Sequence, residues 1–120
     1  MKHKILVIDD EESVCASIEM VLGEDYDIFV YNNAKEAISV IEKNKDINLV
    51  LLDIKMPEMD GLTATEKIHN IRPDLKIMII TAGRLEELYE KATLLGVDDF
   101  INKPFEVEDL RDRVIKLLEQ

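Results

Sequence analysis

The sequence predicts an α/β fold: a doubly wound parallel sheet of five strands with five helices packed on its two faces. Two observations carry the prediction. Short apolar runs alternate five times with longer stretches whose apolar residues recur at helical spacing, the order that gives parallel strands joined by crossover helices. Three of the runs, Ile5-Leu6-Val7-Ile8, Leu49-Val50-Leu51-Leu52 and Ile77-Met78-Ile79-Ile80, are apolar at every position, as strands covered on both faces are.

The elements follow in order. The first run is stopped by Asp9-Asp10. Val14, Ile18, Val21 and Leu22 then fall at i, i+4, i+7 and i+8, one stripe of a helix that Gly23 ends. Asp27 to Tyr31 reads as a second strand, more polar than the others and therefore an edge. Asn33 followed by Glu36 is a capping arrangement that opens a helix running to about Lys43. The second buried run is stopped by Asp53. Met56-Pro57 and Asp60-Gly61 are loop chemistry, and Leu62 to Ile71 carries helical spacing that stops before Pro73. The third buried run is stopped by Thr81-Ala82-Gly83. Leu85, Leu88, Ala92 and Leu95 space as a helix closed by Gly96. Asp98 to Ile101 is a short fifth strand, broken by Lys103-Pro104. Glu106, Glu108 and Asp109 suit a helix N-terminus, and Leu110, Val114, Leu117 and Leu118 give that helix its apolar stripe. No linker, repeat or low-complexity tract intervenes, so residues 1–120 read as one domain.

Composition narrows the function. Acidic residues outnumber basic ones 26 to 15, a formal net charge of -11, which repels nucleic acid phosphate and anionic lipid. Direct nucleic acid contact and membrane binding are therefore not expected. The single cysteine, Cys15, rules out an internal disulfide and fits a reducing compartment. No apolar run has the length of a signal-peptide core or a membrane span, so a cytoplasmic location is expected.

Ligands of open parallel sheets bind beyond the carboxyl ends of the strands. There the pattern places Asp9 and Asp10 after the first strand, Asp53 after the third, Thr81 after the fourth and Lys103 after the fifth. Each residue alone has an ordinary explanation: an aspartate caps the next helix, a threonine makes a turn, a lysine is solvated. Five of them at one end of the sheet are not explained by capping. Three crowded carboxylates resist ionising together, and a hard divalent cation relieves them. With only oxygen ligands on offer, Mg²⁺ is the expected ion. Three carboxylates, one ammonium and one Mg²⁺ then balance to zero charge, so an incoming phosphoryl group meets a neutralised pocket. No cysteine or histidine is placed to act as nucleophile, but a carboxylate can itself attack phosphorus. Asp53, on a central buried strand, is the best placed.

Further segments share one pattern with these: Ile5-Leu6-Val7-Ile8-Asp9-Asp10-Glu11, Leu51-Leu52-Asp53-Ile54-Lys55-Met56-Pro57, Met59-Asp60-Gly61, Thr81-Ala82 and Lys103-Pro104-Phe105. In this order and at these spacings, the whole chain resembles a response regulator receiver domain of two-component signalling. The resemblance implies a flavodoxin-like, CheY-like three-layer sandwich with strand order 2-1-3-4-5. It implies Asp53 as phosphoacceptor, with Mg²⁺ (Mn²⁺ as substitute) held by Asp9, Asp10, Asp53 and the backbone carbonyl of Lys55. Thr81, Ala82 and Lys103 would bind the phosphoryl group, and the Lys103–Pro104 peptide would be cis. Phe100 would swing inward as Thr81 moves, changing the face formed by the fourth helix, fifth strand and fifth helix; plain core packing is the alternative for Phe100. Lys55 and Gly83 would tune dephosphorylation, and the missing side chain at Gly83 predicts slow-to-moderate self-hydrolysis. The donor would be a sensor histidine kinase or phosphotransfer protein. The receiver of the signal would be an output domain or a partner protein, and phosphorylation-linked homodimerisation is a further expectation. The chain would be a stoichiometric phosphoacceptor, not an enzyme.

Three rival readings fit the chain less well. A haloacid dehalogenase-type phosphatase places its nucleophile after the first strand in an Asp-x-Asp pattern, where this chain has Asp9-Asp10-Glu11. A flavin or nucleotide module needs a phosphate-cradling loop there, and Asp10-Glu11-Glu12 would repel a phosphate. A receiver-like domain used only for docking would not need the intact acidic set. His69 reads as a surface or packing residue, His3 precedes the first strand with no motif around it, and Cys15, beside the apolar stripe of the first helix, reads as a small hydrophobe. Glu86-Glu87 and Arg111-Asp112-Arg113 read as solvated helix faces, with Arg111 and Arg113 also suited to a dimer surface.

Overall fold

The computed structural model describes residues 2–56, 58–83 and 85–119. Pro57, expected in the loop after the third strand, lies outside the described residues, as do the side chains of Leu85 and Glu87. Strands and helices alternate without exception: β1 (Lys4–Ile8), α1 (Glu12–Leu22), β2 (Asp27–Tyr31), α2 (Ala34–Lys43), β3 (Ile47–Asp53), α3 (Gly61–Ile71), β4 (Lys76–Thr81), α4 (Leu85–Leu94), β5 (Asp99–Asn102) and α5 (Val107–Leu118). The strands are parallel in the order β2-β1-β3-β4-β5, so the expected topology holds and β2 is an edge. The chain winds outward from β1 to β2, then crosses back to β3. The reversal falls between β1 and β3.

The continuous apolar runs have a simple cause. Leu6, Ile8, Val50, Leu52, Ile77 and Ile79 face one core, closed by residues of α2, α3 and α4. Ile5, Val7, Leu49, Leu51, Met78 and Ile80 face a second core, closed by α1 and α5. Each fully buried side chain of this size contributes about 1.5–3 kcal/mol, so the three central strands are held from both sides.

Local chemistry sets the helix ends. Asn33 caps α2 by accepting the Glu36 N–H at 2.8 Å. Asp60, expected as plain loop, caps α3 by accepting the Thr63 N–H at 2.9 Å. Gly96 closes α4 with φ of +103°, the left-handed region that glycine enters without strain, and a Cβ there would stand 2.6 Å from His69 Nδ1. His69 is thus a packing residue.

Several expectations are refined or corrected. The buried stripe of α1 runs through Cys15, Ile18 and Leu22, with Val14 and Val21 only at its margins, and Cys15 packs there as the small hydrophobe expected. Gly23 ends α1 as expected, in a right-handed conformation at φ of −66°. Strand β5 starts one residue later than expected, because the Asp98 carboxylate is spent accepting the Ile77 N–H at 2.9 Å. Arg113 is not a freely solvated side chain: it lies 2.7 Å from Asp99, 2.9 Å from Asp109, and bonds the Phe100 carbonyl. Among the described residues, no helix is long and apolar enough to cross a membrane.

Candidate functional site

Sheet register builds the site. Ile8 pairs with Leu52, so Asp9 and Asp53 emerge side by side where the winding reverses. Thr81 pairs with Asn102 at the end of β4, and its carbonyl accepts the Lys103 N–H at 2.8 Å, which brings Lys103 to the same end. The Lys103–Pro104 peptide is cis.

Asp9 is 1 % exposed, Asp53 is 3 % exposed and Asp10 faces solvent. Each of the three offers an oxygen within 4.8 Å of the other two. The Lys103 ammonium stands over them, 3.0 Å from Asp9 Oδ2 and 3.3 Å from Asp53 Oδ2. It also reaches Glu11 Oε1 at 3.1 Å, a contact the sequence reading missed. The only hint of it in the sequence was a third acid following the Asp9-Asp10 pair. Backbone groups fix the other oxygens: the Glu11 N–H donates to Asp9 Oδ1 at 2.9 Å, and the Lys55 N–H to Asp53 Oδ1 at 3.2 Å.

Electrostatics follow from this crowding. Burial first, and then the negative field of Asp9, push the Asp53 carboxyl above its ordinary range. Burial opposes the charge on Lys103, but the adjoining carboxylates of Asp9 and Glu11, with the field of Asp53, outweigh it and raise its pKa. Cys15, whose thiol points at the Asp9 carbonyl, is pushed up to about 11 by burial and by Asp9, so it stays a protonated, inert thiol.

The residues fit a hard cation. Asp9 Oδ2 is buried and, although close to Lys103, receives no aligned hydrogen bond. The three side chains offer only carboxylate oxygens, the hard donors that Mg²⁺ prefers, and they are already gathered within 4.8 Å of one another. Asp9, Asp10 and Asp53 would hold it, and the Lys55 carbonyl lies on the loop that follows.

The remaining candidates are arranged around this hollow. Thr81 is fully buried, and its hydroxyl accepts the Gly83 N–H at 2.9 Å; it does not bond Asp53. Ala82 is exposed beside it. Lys55 lies over Gly83, since a Cβ at that glycine would be 3.8 Å from Lys55 Nζ. Phe100 is set apart: it is buried in the α2–α3–α4 core and packs against Tyr89 of α4, ring centroids 4.9 Å apart.

Comparison with known proteins follows the same lines. Residues 5–115 match the response regulator receiver domain family. The chain is 37% identical to the chemotaxis protein CheY of Treponema pallidum, over 97% of this chain and 83% of that protein. It is 33% identical to sporulation initiation phosphotransferase F of Bacillus subtilis, over 98% and 95%. It is also 37% identical to the regulatory protein VanR of Enterococcus faecium, over 95% of this chain but only 49% of that protein. Among solved structures, a CheY-like receiver domain protein from Methanospirillum hungatei superposes with a TM-score of 0.92 at 30% identity, covering 99% of this chain and 95% of that one.

Proposed function

Because this chain belongs to the response regulator receiver domain family, we propose that it is a phosphorylation-operated switch of a two-component system, with Asp53 as the phosphoacceptor. The observation that carries this is the placement of Asp53. Its carboxylate is buried at the reversal of the sheet, grouped with Asp9 and Asp10, and 3.3 Å from the Lys103 ammonium.

The chemistry is a single transfer. An Asp53 carboxylate oxygen attacks the phosphorus of a phosphohistidine; the O–P bond forms as the N–P bond breaks, and the leaving imidazole keeps the electron pair and is protonated by solvent. Lys103 pairs with the phosphoryl oxygens. A bound Mg²⁺ supplies the positive charge that lets an anionic group approach three carboxylates. Thr81 gives up the Gly83 N–H and turns its hydroxyl to the phosphoryl group, with the Ala82 backbone beside it. Phe100 follows into the space released, and the face of α4, β5 and α5 changes in response. Lys55 shields the acyl phosphate, and Gly83 presents no side chain to orient water, so self-hydrolysis is slow to moderate. One phosphoryl group is accepted per chain, without turnover of an external substrate.

The donor is a sensor histidine kinase or phosphotransfer protein in the cytoplasm. The response passes to an output domain or a partner protein, with homodimerisation through the switching face as one form it takes. Relatives covered almost whole and relatives covered by half fit these two routes. A nucleotide module fits poorly: the groove beside Asp10, of about 620 Å³, is lined by Asp9, Asp10, Glu12, Glu19 and Glu36, which repel phosphate.

Incubation with acetyl phosphate and Mg²⁺, followed by intact mass measurement, tests the reading. One phosphoryl adduct, absent in Asp53→Asn, is expected. An adduct that persists in that variant, or none in the parent, rejects it.

A further inference from the structure

Lys103 is engaged by three carboxylates, and they are not equivalent. Asp9 and Asp53 are the buried members of the carboxylate cluster that could hold a cation. Glu11 is exposed, with 57% of its side-chain surface accessible, and lies outside that cluster. Yet the Glu11 contact at 3.1 Å has hydrogen-bond geometry, while Asp9 Oδ2, closer at 3.0 Å, receives no aligned bond. The ammonium is thus shared between two buried carboxylates and one exposed carboxylate at the mouth of the site. The Glu11 backbone is fixed beside the site, because its N–H donates to Asp9 Oδ1 at 2.9 Å.

We infer that Glu11 is a positioning residue that keeps the Lys103 ammonium at the mouth of the site until a phosphoryl group displaces it. The inference rests on the phosphoacceptor reading given above. An ammonium has three N–H donors. Once a cation satisfies Asp9 and Asp53, Glu11 is the anion that still competes with phosphoryl oxygens for Lys103. Glu11 also draws the ammonium's charge away from the three aspartates, which favours the cation. It thus acts with opposite sign on the two ligands: it strengthens binding of the cation and weakens binding of the anion. A residue that merely supported the loop would move both affinities the same way.

Titrations of the parent chain, Glu11→Gln and Glu12→Gln, with Mg²⁺ alone and with beryllofluoride at saturating Mg²⁺, separate these cases. For Glu11→Gln, Mg²⁺ affinity should fall and beryllofluoride affinity should rise, each by about two- to fivefold, the range an exposed ion pair supports. Glu12→Gln removes the same charge from the next residue, which makes no contact with Lys103 among the described residues; its gain in beryllofluoride affinity should be clearly smaller than that of Glu11→Gln. An unchanged or weakened beryllofluoride affinity in Glu11→Gln overturns the inference, as does an equal gain in Glu12→Gln. If the parent itself binds no beryllofluoride, the phosphoacceptor reading falls with it; if the parent binds and Glu11→Gln does not shift, only the role of Glu11 is lost.

Discussion

The two ends of the sheet use charge in opposite ways. At the amino end, Arg72 is 8 % exposed and its guanidinium donates to the carbonyls of Ile47, at 3.2 Å, and Asn44, while pairing with Asp74. Lys4 pairs with Asp46, and the Lys4 N–H is taken by Asn48. There both of these cations meet an opposite charge, and the result is a tied-down edge. At the carboxyl end, one ammonium serves three carboxylates while a fourth, Asp10, faces solvent nearby, and a buried oxygen of Asp9 has no aligned donor. The fold spends stability at one end and gains it at the other, as expected when a site is kept ready for ligands that are not part of the chain.

Exchanging the two ends' key side chains for neutral ones should give opposite results. Asp53→Asn should abolish acetyl phosphate labelling altogether, yet in chelator-treated protein raise stability by about 1 kcal/mol by removing a crowded buried charge. Arg72→Ala should do the reverse. It strands the buried Ile47 carbonyl and should cost about 2 kcal/mol in urea unfolding, while the folded fraction still accepts one phosphoryl group. Loss of labelling in Arg72→Ala, or destabilisation by Asp53→Asn, would break the division between the ends.

Gly61 probes where the frame meets the site. A Cβ there would stand 2.6 Å from the Ile54 Cα and 3.1 Å from the Asp53 carbonyl, both backbone atoms that cannot swing aside. Gly61→Ala should therefore cost about 2 kcal/mol and also slow labelling, because the strain lands on the residue after Asp53. Stability lost without any change in labelling rate would show that the loop relaxes away from Asp53.

Much of this was legible in the chain itself. The apolar runs and their acidic stops gave the strands, and the ends of those strands gave Asp9, Asp10, Asp53, Thr81 and Lys103, because a parallel sheet sends every strand's carboxyl end the same way. What stayed hidden depends on side-chain direction. Spacing could not show that Thr81 turns toward the Gly83 N–H, that Glu11 and not only the aspartates holds Lys103, or that Arg113 folds back onto Asp99. Nor could it show that Asp60 is a cap, since a loop aspartate and a cap aspartate read alike until the next N–H groups are placed. Family likeness adds roles to positions, but these contacts are particular to the side chains around them.

The smallest expected effect is a difference in how stability follows pH. Asp53 in the folded chain titrates above its ordinary range, so just above that range the folded state binds more protons than the unfolded one. Its contribution to stability therefore falls as pH rises through that window, then levels off once the folded carboxyl is ionised. Asp74, held down by the hydrogen bonds from Arg72, behaves oppositely: its contribution is present above the unfolded range and is lost as pH falls through its lowered value. In metal-free protein, the stability advantage of Asp53→Asn over the parent should grow as pH is raised from the acid side, by less than about 1.4 kcal/mol per pH unit, the limit for one proton. Asp74→Asn should instead fall behind the parent over the acid range. Urea titrations of the three proteins across that range check both signs, and parallel pH profiles for the two variants would mean that the ends of the sheet do not differ in the way their charges are paired.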